Sequence, residues 1–154
     1  MTMPRFAPAT MTPAGFDAFG HDYLPGNAAI RIVRVAHGEV CAQMPVTRAW
    51  MAPNDCLHGG AISVLADTAA GYGCLASLPP GATGFLTTEM KSNHLAATRG
   101  GTVMCTARAA HLGRTTQVWD AIVTHVETQR TVALFRCTQL LLYPETNGTA
   151  HANA

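Results

Sequence analysis

Apolar and polar positions divide the chain into one long helix and six strand-like runs. Residues 59–77 are almost wholly apolar, and Pro79-Pro80-Gly81 stops them firmly. Before that helix, Ala29 to Val35 and Glu39 to Val46 read as a hairpin with His37-Gly38 as its turn. After it come Phe85 to Leu95, Gly101 to Leu112, Thr115 to Thr128 and Thr131 to Tyr143. Alternation is clearest in the third of these: Val118, Asp120, Ile122, Thr124 and Val126 share one face, and Trp119, Ala121, Val123 and His125 the other. The short turns Arg99-Gly100, Gly113-Arg114 and Gln129-Arg130 predict that the four runs are successive antiparallel neighbours. Near the start, Thr12-Pro13 has the form of an N-cap followed by proline. It predicts a short helix with Phe16, Phe19 and Tyr23 on one side, ended by Pro25-Gly26. Trp50 to Leu57 reads as an irregular loop.

This order predicts an α+β fold: a long central helix wrapped by a curved antiparallel sheet of about six strands. A helix so apolar needs contact on most sides, and one sheet covers only part of it. Two such units would pair to bury the rest. The organisation expected is an N-terminal arm and short helix over 1–27, one domain over 28–143, and a flexible tail over 144–154, the first eleven residues forming a loose arm.

Composition supports the pairing. Only 12% of the 154 residues are charged and 48% are apolar, too little charge to cover a monomer's surface. A homo-oligomer is therefore expected. A net charge of +1 without a basic run argues against nucleic acid. The cysteines, Cys41, Cys56, Cys74, Cys105 and Cys137, are odd in number and form no C-x-x-C pair, which suits reduced thiols and a cytoplasmic location. Met1 to Ala9 lacks the apolar core of a secretory leader. The apolar helix holds Asp67 and glycines, so it is a poor membrane span.

Candidate chemistry sits in that helix. Asp67 is a lone carboxylate in its middle, costly to bury unless used or compensated. His58-Gly59-Gly60 stands where the helix begins, and exposed N–H groups at a helix start suit a developing negative charge. Together they suggest acyl transfer. At the rise of an α-helix, Gly59 and Asp67 are about 12 Å apart along the axis. One reacting group cannot touch both in the same chain, so a site using both needs a neighbouring subunit.

His58-Gly59-Gly60 with Leu65-Ala66-Asp67-Thr68-Ala69, then Thr87-Thr88-Glu89-Met90-Lys91-Ser92-Asn93-His94-Leu95 and Gly113-Arg114-Thr115, resembles the hotdog-fold acyl-CoA thioesterases, in particular the phenylacetyl-CoA thioesterase-like branch. The resemblance runs from Ala28 to Tyr143. It implies a hotdog fold and hydrolysis of an acyl-CoA, by a dimer or tetramer, with no metal and no cofactor beyond the CoA of the substrate. It places the Gly59 N–H as oxyanion donor and Asp67 as general base or nucleophile, the catalytic set being completed by His58, Thr87 and Asn54. His58 could instead fix the loop by bonding a backbone group. Thr87 is expected to hold water near the carboxylate. Relatives often carry an amide where this chain has Ala52, so Asn54 serves only through a shifted loop. Gly60, Thr88, Arg114, Thr115, Lys91, Asn93 and His94 form the expected substrate-binding set, with Arg114 meeting CoA phosphates.

Two other activities stay open: a hotdog enoyl-CoA hydratase using His58 with Asp67, and a non-catalytic acyl-CoA binding module. The small residues Ala66, Ala69, Ala70, Gly71 and Gly73 suggest room beside the helix for an acyl group. Met90, Met104 and Trp119 are expected to pack.

Overall fold

The structure, a computed structural model, describes residues 11–144. The arm expected before Met11 and the tail expected after Pro144 lie outside the described residues. Two short helices, α1 (Pro13–Gly20) and α2 (Leu24–Asn27), precede a hairpin of β1 (Arg31–Ala36) and β2 (Glu39–Pro45). A single turn of 3-10 helix (Arg48–Trp50) leads to the long helix α3 (Gly59–Ala76). Four strands follow: β3 (Gly84–His94), β4 (Thr102–Leu112), β5 (Thr116–His125) and β6 (Thr131–Leu142).

Thr12 caps α1 as expected, its hydroxyl accepting from the Gly15 N–H at 3.1 Å with Pro13 in the first turn. The helix nevertheless ends at Gly20, not at Pro25-Gly26. Pro25 falls in the first turn of α2, where a missing N–H costs nothing, so it opens a helix rather than closing one. Tyr23 is 68% exposed and precedes α2, while Phe16 is buried and stacks on Tyr72 of α3, centroids 4.6 Å apart. Asp17 accepts from the Ile32 N–H at 2.8 Å, tying α1 to the sheet.

The six strands form one antiparallel sheet in the order β1-β2-β4-β5-β6-β3. Gly38, at φ +76°, makes the β1–β2 turn. The expectation that β3 and β4 are neighbours is wrong: β3 pairs with β6, and β4 pairs with β2 and β5. Three strand spacings, about 14 Å, separate β3 from β4. The seven residues between them can cross it, since an extended chain reaches about 23 Å. Their path is fixed by Leu95 N–H donating to Val132 O and by Leu57 N–H donating to Thr98 O. Gly-rich spacing thus announced a bend but not its partner.

Strand β3 is an edge strand, and it carries a bulge at Thr88: Thr87 faces Gln139 across the ladder, and Glu89 faces Thr138. The extra residue inverts the alternation. Thr87 and, beyond the bulge, Met90, Ser92 and His94 all point to the helix side, paired with the inward Gln139, Cys137, Phe135 and Ala133.

Helix α3 lies against the concave face. Leu65, Ala66, Ala69, Ala70 and Cys74 have no exposed surface. Its small residues do not leave room for an acyl group, as their sequence suggested. A Cβ on Gly73 would lie 2.6 Å from Trp119, and one on Gly71 would lie 2.8 Å from Phe85. Two aromatic rings occupy that space. Trp119 is fully buried, its indole N–H donating to Gln117 Oε1 at 2.9 Å, while Gln117 Nε2 donates to Ser77 O at 2.9 Å. What the sheet leaves uncovered is one stripe at the N-terminal half of α3: Gly60, Ser63, Val64, Asp67 and Thr68.

Candidate active site

The site begins with the entry to α3. His58 is its N-cap, and its Nδ1 accepts from the Gly60 N–H at 2.8 Å. The loop-fixing alternative for His58 therefore has a bond behind it. With that cap in place the Gly60 amide is occupied. Ala61 and Ile62 both donate to His58 O. Among the described residues the Gly59 N–H meets no acceptor, so it is the helix-start donor left open to a ligand. A cleft of about 380 Å³ lies there, lined by Leu57, Gly59, Ile62 and His94 through Ala97. His94 closes on Gly59 so tightly that a Cβ on the glycine would lie 3.0 Å from its Nε2.

Two turns along, Asp67 looks out from the open stripe. Burial raises its pKa above the usual carboxylate value, and the Thr87 hydroxyl partly counters this, lying 3.2 Å from Asp67 Oδ1. A carboxylate so placed can take a proton from water or attack an acyl carbon. The same Thr87 Oγ1 lies 2.9 Å from Gln139 Oε1. Gln139 is fully buried and went unnoticed in the sequence. A signal was available: it falls on the inward parity of β6 with Ala133, Phe135, Cys137 and Leu141, all of them apolar.

The structure thus brings together Asp67 with Thr87, and separately Gly59 and Gly60 with His58 and His94. It does not bring the two groups together within one chain. The remaining expected residues lie elsewhere. Asn54 sits on an exposed turn and its Oδ1 accepts from the Cys56 N–H at 3.2 Å, which uses the amide locally. Thr88 is the bulge residue, donating to Thr138 O at 3.2 Å. Lys91 and Asn93 line a cleft of about 240 Å³ on the outer face with Asp120, Leu134 and Arg136. Arg114 and Thr115 form the exposed β4–β5 turn, where Tyr143 donates its hydroxyl to Arg114 O and Thr115 O accepts from the Leu141 N–H. That turn lies toward the C-terminal end of α3, since Gln117 reaches Ser77.

Among the described residues no cluster of three or more His, Cys, Asp or Glu is arranged to hold a metal ion, and no helix is long and apolar enough to cross a membrane. The five cysteines are free thiols, and burial pushes Cys74 and Cys137 up to about 12.

Comparison with known proteins bears on family and fold. Residues 54–132 match the family described as Thioesterase superfamily. The 1,4-dihydroxy-2-naphthoyl-CoA hydrolase of Listeria monocytogenes is 40% identical over 109 residues, covering 71% of this chain and 87% of that protein. The acyl-coenzyme A thioesterase PaaI of Escherichia coli is 32% identical over 107 residues, covering 70% and 74%. Among solved structures, a mutant of thioesterase PA1618 from Pseudomonas aeruginosa superposes with a TM-score of 0.80 at 29% identity, covering 85% of this chain and 94% of that one. A sheet in this strand order around one long helix, with hotdog thioesterases as its structural neighbours, and a family match over residues 54–132 lead to one assignment: the chain belongs to the thioesterase superfamily and is a hotdog-fold thioester hydrolase.

Proposed function

We propose that the protein hydrolyses an acyl-CoA thioester to a free acid and CoA, at a site that two copies of the chain build together. The observation that carries this reading is the open stripe of α3: the one helix face its own sheet leaves bare holds Asp67, while the free Gly59 N–H lies about 12 Å away along the axis. Pairing two α3 helices antiparallel through their stripes sets Asp67 of one protomer opposite Gly59 of its partner. The edge strand β3 supports the same contact. It offers an unpaired ladder beside that stripe, and Leu86 and Met90 on it, with Leu95 just past its end, are at least half exposed.

The thioester carbonyl then accepts from the Gly59 N–H, with the dipole of α3 behind it. Such a donor contributes about 3 kcal/mol to the barrier when lost. Asp67 either takes the proton of an attacking water or attacks the carbonyl carbon itself. In the first route hydroxide adds to carbon and the thiolate leaves. In the second a mixed anhydride forms and water cleaves it. Either way CoA departs as a thiolate and takes up a proton. The antiparallel arrangement also carries Arg114, at the far end of α3, toward the partner's Gly59, where its guanidinium suits the phosphates of CoA. Two relatives whose names specify CoA thioesters support that substrate class. A homotetramer of two such dimers and a cytoplasmic location complete the reading. The hydratase alternative would have to act through His58 Nε2, since His58 Nδ1 accepts from the Gly60 N–H.

Release of free thiol from a panel of acyl-CoAs tests the activity. Subunit mixing tests the shared site. Asp67→Asn chains mixed with Gly59→Val chains should recover about a quarter of wild-type activity, because half the dimers are hybrids with one intact site of two. No recovery from a mixture shown to exchange subunits would sink the shared site.

A further inference from the structure

Of the two fully buried glutamines, Gln117 is consumed by Ser77 and Trp119. Gln139 is the other, and it stands one hydroxyl away from Asp67. Its Oε1 lies 2.9 Å from Thr87 Oγ1, Thr87 Oγ1 lies 3.2 Å from Asp67 Oδ1, and its Nε2 lies 3.3 Å from Cys137 Sγ. Thr87 has one hydrogen and two oxygens within reach. When Asp67 is ionised, that hydrogen goes to the carboxylate, because a charged acceptor wins. Thr87 Oγ1 and Gln139 Oε1 would then face each other with no proton between them, a costly arrangement for the fully buried Gln139 and the half-buried Thr87.

Turning the amide about its last bond exchanges its oxygen and nitrogen with no change of shape. Nε2 then donates to Thr87, Thr87 donates to Asp67, and Oε1 accepts from the Cys137 S–H. That thiol keeps its proton, since burial pushes it up to about 12. When Asp67 holds a proton the chain runs the other way: Asp67 donates to Thr87, Thr87 to Oε1, and Nε2 to Cys137 Sγ. Each charge state of Asp67 thus has one amide orientation that satisfies every member of the chain.

We propose that Gln139 is a positioning residue of the hydrolytic site, its buried amide turning so that the Thr87 hydroxyl can serve Asp67 both charged and protonated. This rests on Asp67 being the group that takes a proton or attacks carbon. The titratable groups on the elements packed around α3 do not supply the same device. Cys74 on α3 and Cys105 on β4 are thiols raised by burial. On β3, Glu89 lies on the outer face, accepting from Thr138, and His94 lies at the Gly59 end. Asp120 on β5 points outward, paired with Arg136.

The experiment is the pH dependence of kcat/KM for acyl-CoA hydrolysis in wild type, Gln139→Met, Gln139→Glu and Asp67→Asn, with the Asp67 carboxyl carbon titrated by NMR in the first three. Gln139→Met keeps the shape and removes both the donor that serves charged Asp67 and the acceptor that serves the protonated acid; the charge-assisted bond is the stronger, so its loss decides the direction. Its acid limb should move up by about one unit, a tenfold loss of kcat/KM below the limb, with KM nearly unchanged. Gln139→Glu should move it further, because a second carboxyl competes for the Thr87 hydrogen and adds like charge. A limb at the wild-type position in both Gln139 variants, or a loss equal at every pH, overturns the proposal while leaving Asp67 in place. Full activity of Asp67→Asn overturns the functional reading and this proposal with it. If Gln139→Met does not fold, the shift in Gln139→Glu decides.

Discussion

Replacing Gly73 by alanine tests whether the space beside α3 belongs to protein or to substrate. Two effects oppose each other. Alanine inside a helix is favoured over glycine by about 1 kcal/mol. Against this, the added methyl would lie 2.6 Å from Trp119 Cζ3 and 2.7 Å from Cη2, well inside contact distance. The indole cannot yield: it is fully buried, and its N–H is held by Gln117, itself held by Ser77. Overpacking of that kind costs about 1–3 kcal/mol. The net expectation is a loss of up to about 2 kcal/mol, a fall in Tm of up to roughly 8 °C for a chain of this length. Gly71→Ala is the matched control. Its methyl meets Phe85 Cζ at 2.8 Å, but that ring is only partly buried and can swing away. The propensity gain then offsets the contact and Tm should change little. Thermal and urea unfolding of both variants measure the difference. Gly73→Ala as stable as wild type, with an altered preference among acyl chain lengths, would refute the reasoning and return that space to the substrate.

Three further outcomes are expected. Burial raises Asp67 above its unfolded value of 3.8, so the folded chain binds the extra proton and stability falls as pH rises from 3.8 through the folded pKa. Asp67→Asn should therefore be at least as stable as wild type at pH 7 while kcat falls about 10²–10⁴-fold, measured by unfolding and thiol release side by side. His58→Ala should cost about 1 kcal/mol by removing the cap on Gly60, and His58→Ser should restore most of it; a serine variant with wild-type stability but a raised KM would show that the ring also touches substrate. Gln117→Leu leaves the Ser77 carbonyl and the Trp119 N–H unsatisfied and should cost about 2–5 kcal/mol in urea unfolding, whereas Asp120→Ala, breaking the exposed pair with Arg136, should cost under about 1 kcal/mol.

Much of the fold is legible in local pattern. The helix at 59–77, stopped by two prolines, is found as Gly59–Ala76, and the alternation of Trp119, Ala121 and Val123 marks the buried face of β5. Pairing is not legible, because it depends on which edges are free when strands meet. Nothing in the residues between β3 and β4 says that β5 and β6 will stand between them. Nor does Thr87-Thr88 declare a bulge. A bulge is a property of two strands in register, and only the ladder with Gln139 and Thr138 reveals that Thr88 is the extra residue.

That bulge decides how much of the site could be seen in advance. Thr87 and His94 are seven positions apart, an odd spacing that strict alternation puts on opposite faces of a strand. With one residue inserted they share the inner face, one beside Asp67 and the other beside Gly59. Lys91 and Asn93 are turned outward by the same step, to a cleft on the far side of the sheet. A single irregularity therefore sorts the polar residues of β3 into those that can meet a thioester at α3 and those that cannot. It also aligns Thr87 with Gln139, an amide that looks out of place among the apolar inward positions of β6 until its partner across the ladder is known. Such a residue is the mark to seek in related sequences: a polar side chain on a buried parity is costly unless a partner meets it, and here the partner stands next to the lone carboxylate of the helix.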